Sequence, residues 1–226
     1  IFAGGYITPG SGVVSGIDYV IFSSAGGGND FGDLVTSLKQ GAGFSDSTRG
    51  VFATGGGASP APVTSAISFI TMASTGSESS FGDALSARRG AKGLASPTRG
   101  VFAQGGYLES PGTAATNVLE FVTIQSRGNS IEFGDRTSTH QFQGAAASNT
   151  TRGLLAGGYT TPANSNEIDY ITIATLGNAI DFGDLTTARH GGGGMSSATR
   201  AVFGGMWDGA ADETMDYVTI ASTGNA

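Results

Sequence analysis

Apolar and polar residues alternate in five places along the chain. The runs are Ile17-Asp18-Tyr19-Val20-Ile21, Ile67-Ser68-Phe69-Ile70-Thr71, Val118-Leu119-Glu120-Phe121-Val122, Ile168-Asp169-Tyr170-Ile171-Thr172 and Met215-Asp216-Tyr217-Val218-Thr219. A period of two carried by β-branched and aromatic residues predicts pleated, half-buried strands. No segment holds a 3.6-residue period for a useful length, and glycine would penalise a helix. Between these runs lie three other kinds of short segment. One is small and glycine-rich, as in Gly41-Ala42-Gly43-Phe44 or Gly191 to Met195. The next reads Val-Phe-Ala, as at Val51 to Ala53, and the last reads Phe-Gly-Asp, as at Phe182 to Asp184. Turn formers separate them, among them Ser96-Pro97-Thr98-Arg99 and Leu176-Gly177-Asn178.

These segments recur in fixed order. Arg49, Arg99, Arg152 and Arg200 open the second segment at spacings of 50, 53 and 48 residues. A Gly-Gly pair closes it at Gly4-Gly5, Gly55-Gly56, Gly105-Gly106, Gly157-Gly158 and Gly204-Gly205. Phe-Gly-Asp returns at Phe31 to Asp33, Phe81 to Asp83, Phe133 to Asp135 and Phe182 to Asp184. The chain is therefore an all-β array of four-stranded units, about 50 residues each. One such sheet cannot bury both its faces, whereas units stacked around an axis can, as the blades of a propeller. The units are 1–38 (lacking the first strand), 39–88, 89–140, 141–189 and 190–226 (lacking the fourth). Because both end units hold strands two and three, they duplicate rather than complete one another, and the expectation is a window on a longer repeat protein. Unpaired edges at the two ends also open a route to homo-oligomers.

Composition narrows the function. Of 226 residues 39 are Gly, none is Cys, and only 13% are charged, for a net charge of −7. An acidic chain lacks the cations to neutralise phosphates, which argues against nucleic acid and anionic lipid. Absence of Cys removes disulfides, thiolate nucleophiles and Cys-ligated metals, and no run of apolar residues is long enough for a membrane-spanning helix.

The repeat resembles the kelch family of β-propellers and, through it, the central domain of galactose oxidase. The Gly-Gly pairs carry that resemblance, with the aromatic of the third strand (Tyr19, Phe69, Phe121, Tyr170, Tyr217) and that of the fourth (Phe31, Phe81, Phe133, Phe182). Phe stands there where the family usually has Trp. Arg88 and Arg189 match the family's opening Arg, while Leu38 and His140 hold the other aligned places. The resemblance implies a kelch-like β-propeller and no catalytic content, because copper ligands and a Cys-linked Tyr have no counterparts. The Thr-Arg-Gly-Val-Phe and Phe-Gly-Asp-Leu phrases also look like repeat proteins coded by marine bacteriophages, which implies a virion or tail-associated, extracellular protein.

Chemistry has few candidates. Asp181-Phe182-Gly183 spells a kinase motif without the companion motifs, and Gly191 to Gly194 lacks the Lys of a phosphate loop. His140 and His190 have no visible third ligand, so no metal and no cofactor is expected. Asp33, Asp83, Asp135 and Asp184 read as turn-capping carboxylates, and the recurrent Arg residues as partners of carboxylates on neighbouring strands. The loops after the Gly-Gly pairs vary freely and should share one rim. They carry Tyr6, Tyr107, Glu109, Tyr159, Trp207, Asp208 and Asp212, rings and acids suited to stacking on sugars. The expectation is a non-enzymatic structural or adhesive module of a phage particle, binding a host glycan or a neighbouring virion protein. A purely structural connector and a polysaccharide-acting enzyme are the alternatives.

Overall fold

A computed structural model describes residues 1–7, 12–57, 63–106 and 114–226. They form a five-bladed β-propeller of three- and four-stranded antiparallel sheets. Blade 1 holds β1 (Phe2–Ile7), β2 (Gly12–Tyr19) and β3 (Asn29–Asp33). Blade 2 holds β4 (Ala42–Ser45), β5 (Arg49–Gly56), β6 (Val63–Thr71) and β7 (Ser79–Asp83). Blade 3 holds β8 (Lys92–Ala95), β9 (Arg99–Ala103), β10 (Thr116–Thr123) and β11 (Ile131–His140). Blade 4 holds β12 (Phe142–Ser148), β13 (Arg152–Thr160), β14 (Ala163–Thr172) and β15 (Ile180–Asp184). Blade 5 holds β16 (Gly193–Ser196), β17 (Arg200–Gly204) and β18 (Asp216–Thr219). Strands pair in chain order within each blade, as the segment order predicts. His140 ends the fourth strand of blade 3 rather than starting the next first strand.

The core lies between blades. Each of its four clusters joins one blade to the next: Ile17 and Phe31 to Ile70, Val51 and Phe69 to Ile124, Val101 and Phe121 to Ile173, and Leu154 and Phe182 to Ile220. The period of two explains this. Alternate side chains point forward to the following blade and backward to the preceding one. Third- and fourth-strand rings of one blade meet edge to face, 6.0 to 6.2 Å apart, as in Phe69–Phe81 and Tyr19–Phe31.

Phe-Gly-Asp is a backbone latch. The N–H groups of Gly76, Gly128, Gly177 and Gly224, in the turn after each third strand, donate to the carbonyls of Phe31, Phe81, Phe133 and Phe182 in the preceding blade at 2.7–3.0 Å. Two residues on, Glu78, Ser130, Ala179 and Ala226 donate to Asp33, Asp83, Asp135 and Asp184. The middle glycine permits this approach: a Cβ on Gly82 or Gly134 would lie 2.2 or 2.3 Å from the carbonyl oxygen of Gly128 or Gly177. Two of the Asp carboxylates do not cap turns in the expected way. Those of Asp33 and Asp83 accept from the Ser15 and Ser65 hydroxyls on the neighbouring strand, at 2.9 and 3.2 Å.

The recurrent Arg residues also depart from expectation. Arg49, Arg99 and Arg152 donate to the backbone carbonyls of Ile124, Ile173 and Ile220 in the following blade, at 2.9, 3.0 and 2.9 Å. Each guanidinium lies over the third-strand ring of its own blade, 4.4 to 4.8 Å from the centroid. A planar cation that stacks and donates sideways fits an aromatic and a carbonyl without a carboxylate. The turn before it is closed by a side chain three residues earlier: Asp46, Ser96, Asn149 and Ser197 accept the N–H groups of Arg49, Arg99, Arg152 and Arg200.

First strands of consecutive blades pack on one another, where small residues are required. A Cβ on Gly93 or Gly194 would sit 2.7 or 2.2 Å from the backbone oxygen of Gly43 or Ala146. The Gly-Gly pairs, by contrast, are not in register. A bulge in the second strand takes a left-handed residue, filled by Gly4, Thr54 and Gly157 at φ 64°, 59° and 68°, and Gly205, just past β17, has the same conformation at φ 64°. In blade 2 the pair follows this position by one residue, so that Thr54 occupies it.

Candidate functional site

Hairpins between second and third strands and the connections from fourth to first strands emerge at the same end of every blade, so they share one rim. This rim carries the variable segments. Tyr107 and Glu109 lie outside the described residues. Tyr6 is exposed, and the Lys39 ammonium lies over its ring at 4.7 Å. The remaining four candidates lie around the junction of blades 4 and 5.

The centre of that group is His190, a residue the sequence alone did not attach to the loops. Its ring stacks on Phe142 with centroids 5.7 Å apart and leans on Tyr159 at 5.3 Å. His190 and Trp207 exchange backbone hydrogen bonds at 3.0 and 2.8 Å, a two-residue bridge that fixes where the indole leaves the chain. Asn164 ties both: its Nδ2 donates to the Trp207 carbonyl at 3.3 Å, which turns its Oδ1 to His190 Nδ1 at 2.8 Å. The amide oxygen can only accept, so Nδ1 carries the imidazole proton and Nε2 keeps its lone pair. Burial lowers the pKa of His190, which keeps the ring neutral. The Trp207 side chain stays about half exposed.

The two candidate acids have separate positions. Asp208 is exposed and accepts the Ala210 N–H at 3.1 Å in a local turn. Asp212 is engaged from below by the fully buried Arg189 at 2.8 Å, and hydrogen bonds from the Thr214 side chain and N–H hold its carboxyl below the usual range. Arg189 also pairs with buried Asp216 and donates to the Thr214 carbonyl at 3.0 Å. Arg189 thus serves as the pin of the blade 4–5 junction and supports the Trp207 loop from beneath.

Blade junctions hold further buried polar groups. Arg136 donates through Nε to Asp169 at 2.6 Å and through Nη1 to Gln143 at 2.6 Å. Glu120 accepts Gln104 at 2.6 Å and the Leu85 N–H of blade 2 at 2.9 Å. The four acids between an apolar residue and an aromatic of the third strand (Asp18, Glu120, Asp169, Asp216) share the backward-facing place of the alternation, and the last three are buried against the preceding blade. Sequence reading missed this use of the polar place in the alternation. The signal was present, since a carboxylate flanked by apolar residues in a strand buried on both faces needs a partner. His140 is also buried, its ring against Gly158, and desolvation together with the Arg136 charge pushes its pKa down to about 3. Lys92 is half-buried, and its ammonium donates to the Gly192 carbonyl of blade 5 at 2.6 Å. Among the described residues no three His, Asp or Glu side chains converge in a metal-binding arrangement.

Compared with models of known protein families and with curated protein sequences, the chain matches none.

Proposed function

We propose that this propeller is a non-enzymatic binding module whose blade 4–5 rim takes a carbohydrate. The observation that carries the reading is the cluster of Phe142, Tyr159, His190 and Trp207, with the indole half exposed and its backbone fixed. Sugars present flat C–H faces and many hydroxyls. An exposed indole supplies a stacking surface, the unprotonated His190 Nε2 an acceptor, and the Asp208 carboxylate a second one. Rings held by a backbone bridge lose little freedom on binding, which favours affinity. The repeated Arg, Phe-Gly-Asp and glycine residues are consumed in joining blades, so specificity falls to the variable rim.

The phage resemblance of the repeat phrases extends this proposal to a virion or tail protein displaying the rim to a host-surface glycan outside the cell. A neighbouring virion protein is the alternative ligand. Wild type and Trp207→Ala should be compared on an array of bacterial surface glycans, with hits titrated by calorimetry. The proposal expects binding that Trp207→Ala weakens at least tenfold. Binding unchanged in the variant would place the ligand elsewhere, and release of shortened sugars would make the protein an enzyme.

A further inference from the structure

The junction of blades 2 and 3 departs from the repeat by one added charge. The residue before the latch glycine is Thr75, Arg127, Leu176 and Thr223 in blades 2 to 5, so blade 3 alone places a cation there. The Arg127 guanidinium lies over the Phe69 ring, 4.8 Å from its centroid. Arg49 of blade 2 lies over the same ring, also at 4.8 Å. In the next two junctions Phe121 and Tyr170 carry Arg99 and Arg152 at 4.6 and 4.4 Å, and the aligned turn residues are the uncharged Leu176 and Thr223. A second guanidinium is therefore not needed to join blades.

Both arginines border one cleft of about 370 Å³, whose wall also holds the hydroxyl residues Ser74, Thr75, Ser77 and Ser79. Among the described residues that line it none is an acid, and neither guanidinium pairs with a carboxylate. Asp46, the acid nearest to Arg49 along the chain, accepts the Thr48 and Arg49 N–H groups at 2.7 and 2.8 Å and the Gln125 amide. Arg49 gives one N–H to the Ile124 carbonyl, and its guanidinium carries further donors. Two cations on one ring repel each other, and an anion set between them turns that repulsion into attraction. In a chain of net charge −7 this is a local reversal of sign.

We propose that this cleft binds a sulfate or phosphate ester group, with Arg49 and Arg127 as its charged donors and the turn hydroxyls as neutral ones. A tetrahedral oxyanion offers oxygens in several directions, which suits two guanidiniums arriving from different blades. A carboxylate, with both oxygens in one plane, is met in full by a single guanidinium fork. The cleft also has room for part of the group that the oxyanion esterifies. Arg127 specifies the site, because Arg49 has counterparts in other blades and Arg127 has none. The cleft is built from the turn between third and fourth strands and the start of the second strand. It therefore lies at the opposite end of the blades from the variable rim, and the glycan reading is not needed for it.

Magnetic-resonance titration of isotope-labelled protein tests it, at constant ionic strength, with inorganic sulfate, inorganic phosphate, phenyl sulfate and phenyl phosphate as probes. The Arg49 and Arg127 Nε–H resonances should shift and saturate at one site, with a Kd of about 1 mM or below for at least one ester. The two ester arms tell a sulfate source from a phosphate source. Arg127→Gln should weaken the binding roughly tenfold. Arg127 is exposed, so circular dichroism should show that this variant folds as wild type does. Trp207→Ala, at the other end of the blades, should leave the binding unchanged. Shifts that never saturate, shifts that chloride reproduces, binding that Arg127→Gln does not weaken, or binding that Trp207→Ala abolishes would overturn the proposal.

Discussion

Thr54 occupies a left-handed position that glycine fills in three other blades. Its φ of 59° places a β-branched side chain where L-residues are disfavoured, and its buried hydroxyl has no hydrogen-bond partner. Thr54→Gly should therefore stabilise the protein by about 1 kcal/mol, read as a rise in Tm; a fall would mean that packing of the Thr54 methyl outweighs the strain. His140 gives a pH dependence. Its pKa of about 3 in the folded protein lies below the ordinary 6.5, so the unfolded chain takes up the proton first. The stability tied to neutral His140 is complete above pH 6.5 and is lost as pH falls toward 3, about 2 kcal/mol of it by pH 5. His140→Gln should show a smaller fall in Tm between pH 7 and 5 than wild type, and equal falls would count against this account.

Within and between elements, the sheets hold together through a few repeated contacts. Gly82→Ala would drive a methyl into the Gly128 carbonyl, and overpacking of this kind costs about 3 kcal/mol. Gly76→Ala has open space at its Cβ and a φ of 154°, so it should cost less, through backbone strain alone. Denaturant titration of the pair separates steric closure of the latch from glycine conformation. Asp169→Ala strands the buried Arg136 charge and should cost about 3–5 kcal/mol, while Arg136→Leu with Asp169→Leu should recover much of that. A double variant as unstable as Asp169→Ala would show that the pair matters for more than mutual neutralisation. Strand order, unit length and the interblade role of the repeated aromatics were legible in the sequence because period two and turn chemistry are local. What Asp33, Arg49 and Glu120 bond to was not legible, because each partner sits on another strand or blade, and spacing along the chain does not reveal which blade face a polar side chain takes. The one-residue offset of Gly55-Gly56 against its bulge was hidden for a related reason: the left-handed position belongs to the backbone, and Thr54 had no glycine to mark it.

As a whole molecule, the propeller is a row of nearly equivalent junctions with its core between sheets rather than within one. Stability in such an array is a sum of blade and nearest-neighbour terms, so a break in one latch should loosen the two blades it joins before the others. This division leaves the rim free to vary, and it is why Tyr159, His190 and Trp207 assemble from two blades and three separate segments. The central claim is that Phe-Gly-Asp works as an interblade backbone latch. Residue-resolved amide hydrogen exchange tests it most directly. The N–H groups of Gly76, Gly128 and Gly177, which lie in turns, should exchange as slowly as those of the central strands, because each is bonded to the preceding blade. Fast exchange at Gly128 and Gly177, like that of ordinary turns, would contradict the latch and with it this account of the repeated motif.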